Sequence, residues 1–108
     1  MKKITFKISI YSWGIREELH VVDIENKMYT HFENKRQDKS IPLTDELLNP
    51  IIYFCEKLLR DFPRNSFAFD APHWTLTIDD KSCTQIADRD HNVLYDKILT
   101  LFEVFAKK

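Results

Sequence analysis

The stretch Ile4-Thr5-Phe6-Lys7-Ile8-Ser9-Ile10 alternates apolar and polar residues without a break. Successive side chains of a strand point to opposite faces, so this is a half-buried strand with Ile4, Phe6, Ile8 and Ile10 inward. Continuing the period puts Tyr11 and Trp13 outward, beside Thr5, Lys7 and Ser9. Gly14 is the only glycine in the chain and ends the run, where a turn needs positive φ.

Leu19 to Glu25 and Met28 to Glu33 read as second and third strands around Glu25-Asn26-Lys27. A three-residue turn there keeps Val22, Ile24 and Phe32 on one face; a two-residue turn flips Phe32 outward. Burial favours the longer turn, which sends Val21, Tyr29 and His31 to the outer face. The polar Asn34 to Thr44, with Pro42, reads as a loop. Asn49 and Pro50 suit the cap and first residue of a helix, on which Ile51, Phe54, Cys55, Leu58 and Phe62 recur at helical spacing. Ser66 to Asp70 reads as a short strand before Pro72. His73–Asp79 and Ser82–Ala87 form a hairpin around Asp79-Asp80-Lys81, and Asp90 or Asn92 caps a final helix with a face of Leu94, Ile98, Leu101, Phe102 and Phe105. Val22–Lys27 lines up with Leu76–Lys81, a likeness that two ordinary hairpins explain better than a duplication does.

The expected architecture is α+β: a two-layer sandwich of about five antiparallel strands with two amphipathic helices on one face. At 108 residues the chain is one domain, residues 1–108, able to bury a core. Eight Phe, four Tyr and two Trp give it the apolar area that disordered chains lack.

The totals also exclude functions. A net charge of −1, with cations and acids interspersed, disfavours a general nucleic-acid binder. Lys35, Arg36 and Lys39 are the one local basic cluster, and Asp38 sits inside it. Two cysteines make neither a disulfide framework nor a zinc knuckle, and no run reaches membrane-span length. Met1-Lys2-Lys3 lacks the apolar stretch that would make it a signal peptide. The expectation is a cytoplasmic, reduced protein. One glycine forbids a glycine-rich phosphate loop, and no Gly-x-Ser-x-Gly elbow exists, so no cofactor is expected.

Two surfaces remain. Tyr11, Trp13, Tyr29 and His31 make an aromatic, charge-poor outer sheet face suited to a protein partner or a second copy of the chain. On this reading the protein is a non-catalytic binding module of the regulator, inhibitor or immunity type. The alternative is a small metal-binding or acid–base domain using His73, Asp88, Asp90 and His91, which gather near one sheet end. Cys83 is a weaker nucleophile candidate with His73 as base, and Cys55 falls on the apolar helix face.

Overall fold

Strand β1 (Lys3–Tyr11) carries the alternating run and lies inside the sheet, flanked by β2 (Ile15–Asp23) and β5 (His73–Ile78). The computed structural model describes residues 2–11, 15–61, 72–87, 90 and 92–106. Among these, β3 (Met28–Glu33), β4 (Arg36–Pro42) and β6 (Lys81–Ile86) complete one antiparallel sheet of six strands, ordered β4-β3-β2-β1-β5-β6. Helices α1 (Asp45–Asp61) and α2 (Val93–Ala106) pack on one face of it. The protein is an α+β fold, as expected, with six strands where about five were anticipated.

The inward stripe is that of the opening run. Ile4, Phe6 and Ile8 stand beside Val22 and His20 of β2 and beside Ile78, Leu76 and Trp74 of β5, all buried. Above them lie Leu48, Ile51, Cys55 and Leu58 of α1 and Tyr95, Ile98, Phe102 and Phe105 of α2. Phe6 is the hub, with ring centroids 5.6 Å from Trp74, 5.8 Å from Tyr95 and 6.0 Å from Phe102. Fully burying such a ring contributes about 1.5–3 kcal/mol relative to leaving it in water. The α2 face is rotated slightly from the expected one. Tyr95 takes the deep position, while Leu94 and Leu101 are only partly buried.

The two hairpins differ from the expected register. Asp23 pairs with Met28 across the four-residue connection Ile24–Lys27, and Ile78 pairs with Lys81 across the two-residue turn Asp79-Asp80. Both lengths are even, so Phe32 and Ile86 turn outward and Tyr29 turns inward, where it is 1% exposed. Lys27 and Asp79 adopt positive φ, at 53° and 54°. Asp79 repays its backbone cost through its side chain: Oδ1 accepts the N–H groups of Lys2 (2.9 Å) and Lys3 (3.1 Å), tying the start of β1 to the turn. These bonds hold its carboxyl below the ordinary aspartate range. The unequal connections also weaken the apparent repeat, since Lys27 lies in a loop while Lys81 is already in a strand.

Arg36–Pro42 was expected to be loop and is an edge strand. Its residues are polar because the edge faces solvent, which hides it from any pattern based on burial. It is joined to β3 by Asn34-Lys35, both at positive φ (51° and 69°), a tight turn of the type I′ kind. Asn34 seals this turn against β2, its N–H donating to the Glu17 carbonyl (2.9 Å) and its Oδ1 accepting the Glu17 N–H (3.0 Å).

Helix α1 begins at Asp45, not at Pro50. Thr44 caps it, its carbonyl accepting the N–H of Leu48 at 2.9 Å. Pro50 sits inside the helix and removes the bond to the carbonyl of Glu46, which is exposed, so water can replace it. Asn92 is the cap of α2, its Oδ1 accepting the Tyr95 N–H at 3.1 Å. The expected strand Ser66–Asp70, with Phe62 and Gly14, lies outside the described residues. No described helix is long and apolar enough to cross a membrane.

Candidate metal centre

The inward turn of β3 has a chemical consequence. With Asp23 opposite Met28, His20 of β2 falls directly opposite His31 of β3, and Glu18 lies two residues along β2 on the same face. The histidine rings stack, with centroids 4.9 Å apart. Glu18, His20 and His31 each offer a ligand atom, and these atoms lie within 4.8 Å of one another. They form the only such grouping of three or more among the described residues.

Each of the three is held by a neighbour. His31 Nδ1 lies 3.0 Å from Asp38 Oδ2. A carboxylate only accepts, so His31 Nδ1–H donates to it, and in the neutral ring Nε2 is then the nitrogen that carries the lone pair. Arg16 Nη2 lies 3.3 Å from Glu18 Oε1 and 2.7 Å from Glu33, which leaves Glu18 Oε2 toward His20 Nε2 at 3.9 Å. The ring of His20 lies flat on Phe102, centroids 4.3 Å apart and 4° from parallel, and its Nδ1 is 2.6 Å from the Tyr29 hydroxyl.

Electrostatics favour ligation. Burial, helped by the nearby His31, lowers the His20 pKa to about 3, so the ring is neutral at pH 7. The His20–Glu18 contact is therefore not an ion pair. Burial also pushes the Tyr29 phenol up, with Glu18 and Asp38 adding to the effect, so it stays protonated. The Tyr29 O–H can donate a hydrogen bond to His20 Nδ1 when nothing binds the ring. An ion on Nε2 reverses that bond, with Nδ1–H donating to the Tyr29 oxygen.

A tetrahedral zinc ion, with bonds of about 2.0–2.2 Å, sets its ligand atoms about 3.4 Å apart. The present atoms must close by no more than about 1.4 Å to reach that geometry. Glu18 is the most exposed of the three, and its Oε2 is already 3.9 Å from His20 Nε2. Two imidazoles and a carboxylate suit divalent transition metals and leave at least one coordination position open. Glu18, His20 and His31 all line a cleft of about 450 Å³ between the sheet and α2, also lined by Ile8, Pro72, Ala87, Tyr95, Leu99 and Glu103.

The expected sites fare differently. Tyr29 and His31 face the helices, which corrects their assignment to an outer docking face; the even connection after Asp23 is the reason. Trp13 and the side chain of Tyr11 lie outside what is described. His73 points outward with Thr75 and Thr77, as the alternation predicts, whereas Asp88 and His91 lie outside the described residues and Asp90 belongs to no described metal grouping. Cys83, expected to be accessible, is buried beneath the helices opposite Leu76, and burial raises its thiol pKa, contrary to a nucleophile's needs. Cys55 is core, as its spacing implied. The cluster that does assemble carries a sequence signal, Glu18-x-His20 on one strand face, but it gains meaning only when His31 is placed opposite. Comparison with known proteins finds no matching family model, curated relative or solved structure, so the centre rests on its own geometry.

Proposed function

We propose that this protein binds a divalent transition-metal ion through Glu18, His20 and His31. The observation that carries the reading is the Asp38–His31 bond. It sets His31 in the carboxylate–histidine arrangement of protein metal sites. His20 is neutral and braced by Phe102 and Tyr29, and Glu18 supplies the charge. Zinc suits this ligand set, and iron, nickel and copper are competitors for it. The two free, buried cysteines support a reducing, cytoplasmic setting.

Isothermal titration of chelator-treated protein with zinc tests the reading. The expected result is one site per chain, lost in His31→Ala and weakened in Glu18→Gln. Zinc binding that is unchanged in both variants, or absent from the intact protein, overturns it.

A second reading, a protein-interaction module acting through the outer sheet face, is supported by a different observation. Leu19 and Phe32 lie opposite one another on the side away from both helices. A concentration-dependent mass in light scattering, abolished by Phe32→Lys, is its expected signature for self-association.

A further inference from the structure

We infer that the open coordination position takes a small molecule with one donor head and a flat hydrophobic body, the body lying in the rest of the cleft. This rests on the metal reading and extends it from the ion to the ligand.

Volume is the first argument. An ion with a bound water needs only a few tens of Å³, a single water occupying roughly 30 Å³. The cleft measures about 450 Å³, within the range of small-molecule sites. Its composition is the second. Ile8, Tyr95, Leu99 and Phe102 form apolar walls next to the ligand atoms, and Phe102 is already stacked on His20. An apolar wall beside a metal is poorly filled by water and well filled by a ring or short aliphatic group.

Charge narrows the head. Among the described lining residues there is no lysine or arginine, while Glu18 and Glu103 are both present, and Arg16 reaches the cleft's edge only through its ion pair with Glu18. A phosphate or other multiply charged anion would meet carboxylates on the described walls, with Arg16 already engaged by Glu18 and Glu33. A divalent ion with Glu18 bound keeps one net positive charge, which a neutral or singly anionic donor matches. The class is thus a hydrophobic monoanion or neutral metal ligand, which the described walls suit better than a nucleotide or sugar phosphate.

Cobalt(II)-loaded protein tests this, because its visible spectrum reports changes in coordination. Acetohydroxamate and benzohydroxamate share one monoanionic head and differ in the apolar body. Both should perturb the cobalt bands, with benzohydroxamate on the order of ten-fold tighter or more, given the area of a buried ring. Inorganic phosphate should leave the bands unchanged at the same concentrations. Leu99→Asp should narrow the benzo-to-aceto ratio toward one, with cobalt affinity measured alongside. If cobalt does not bind, the metal reading itself fails. If it binds but the two hydroxamates are equal, or benzohydroxamate binds without moving the bands, or phosphate competes, the metal reading stands and this inference is overturned.

Discussion

His31 Nδ1 is fixed by the Asp38 carboxylate at 3.0 Å while His20, directly opposite it across β2 and β3, has its Nδ1 fixed by the Tyr29 hydroxyl at 2.6 Å. Each anchor engages Nδ1, so in a neutral ring Nε2 is the nitrogen left to bind an ion. Removing either anchor leaves the ligands in place but frees their orientation. Asp38→Asn and Tyr29→Phe should each weaken zinc 10- to 100-fold, as loss of an outer-sphere partner does at other metal sites. Competition against a chromophoric chelator measures this. Asp38 is exposed, so its variant should fold normally, and an unchanged affinity there would mean that the carboxylate does not orient His31.

The tight turn at Asn34-Lys35 carries a conformational cost. Lys35 has φ 69°, a region that a β-carbon disfavours by roughly 1–2 kcal/mol. Glycine removes that clash, at a partial cost in chain entropy. Lys35→Gly should therefore raise unfolding stability by about 0.5–1 kcal/mol, read from urea midpoints. Asn34→Gly should gain less or lose, because Asn34 Oδ1 holds the Glu17 N–H at 3.0 Å.

Asp79 links stability to acid pH. Its carboxyl accepts the N–H groups of Lys2 and Lys3, which depress its pKa below the unfolded value of 3.8. A depressed folded pKa means the unfolded chain binds the proton more tightly. The contribution is fully present above pH 3.8 and disappears as pH falls through that value and below. Asp79→Asn keeps the positive φ acceptable and cannot titrate. It should flatten the acid limb of a stability–pH curve and leave its shape near pH 7 unaltered.

Phe6 touches three aromatic neighbours from two elements and is fully buried. Phe6→Ala should cost about 3–5 kcal/mol by chemical denaturation, enough to unfold many domains of this size. Phe32→Ala, on the opposite face and only half-buried, should cost clearly less. Equal losses would mean that the outer face is packed as tightly as the inner one.

Much of the fold was legible because burial writes a period into the chain. The alternation of Ile4, Phe6 and Ile8, the Trp74-Leu76-Ile78 stripe and the helical spacing of Ile51, Cys55 and Leu58 each named their inward face correctly. Edge strand β4 was illegible for the converse reason: Arg36–Pro42 buries almost nothing, so no periodic pressure acts on it. The inner face of β3 was misread because Tyr29 and Phe32 are both large and apolar, and composition alone does not say which of them turns inward.

The sequence by itself determined the α+β class, the central strand and the two amphipathic helices, since each follows from local periodicity. Only the tertiary structure decided the candidate centre. A connection of four residues between Asp23 and Met28, in place of three, carries His31 from the outer face to a position opposite His20. Strand faces alternate with a period of two, so one residue of loop length inverts every side chain that follows it.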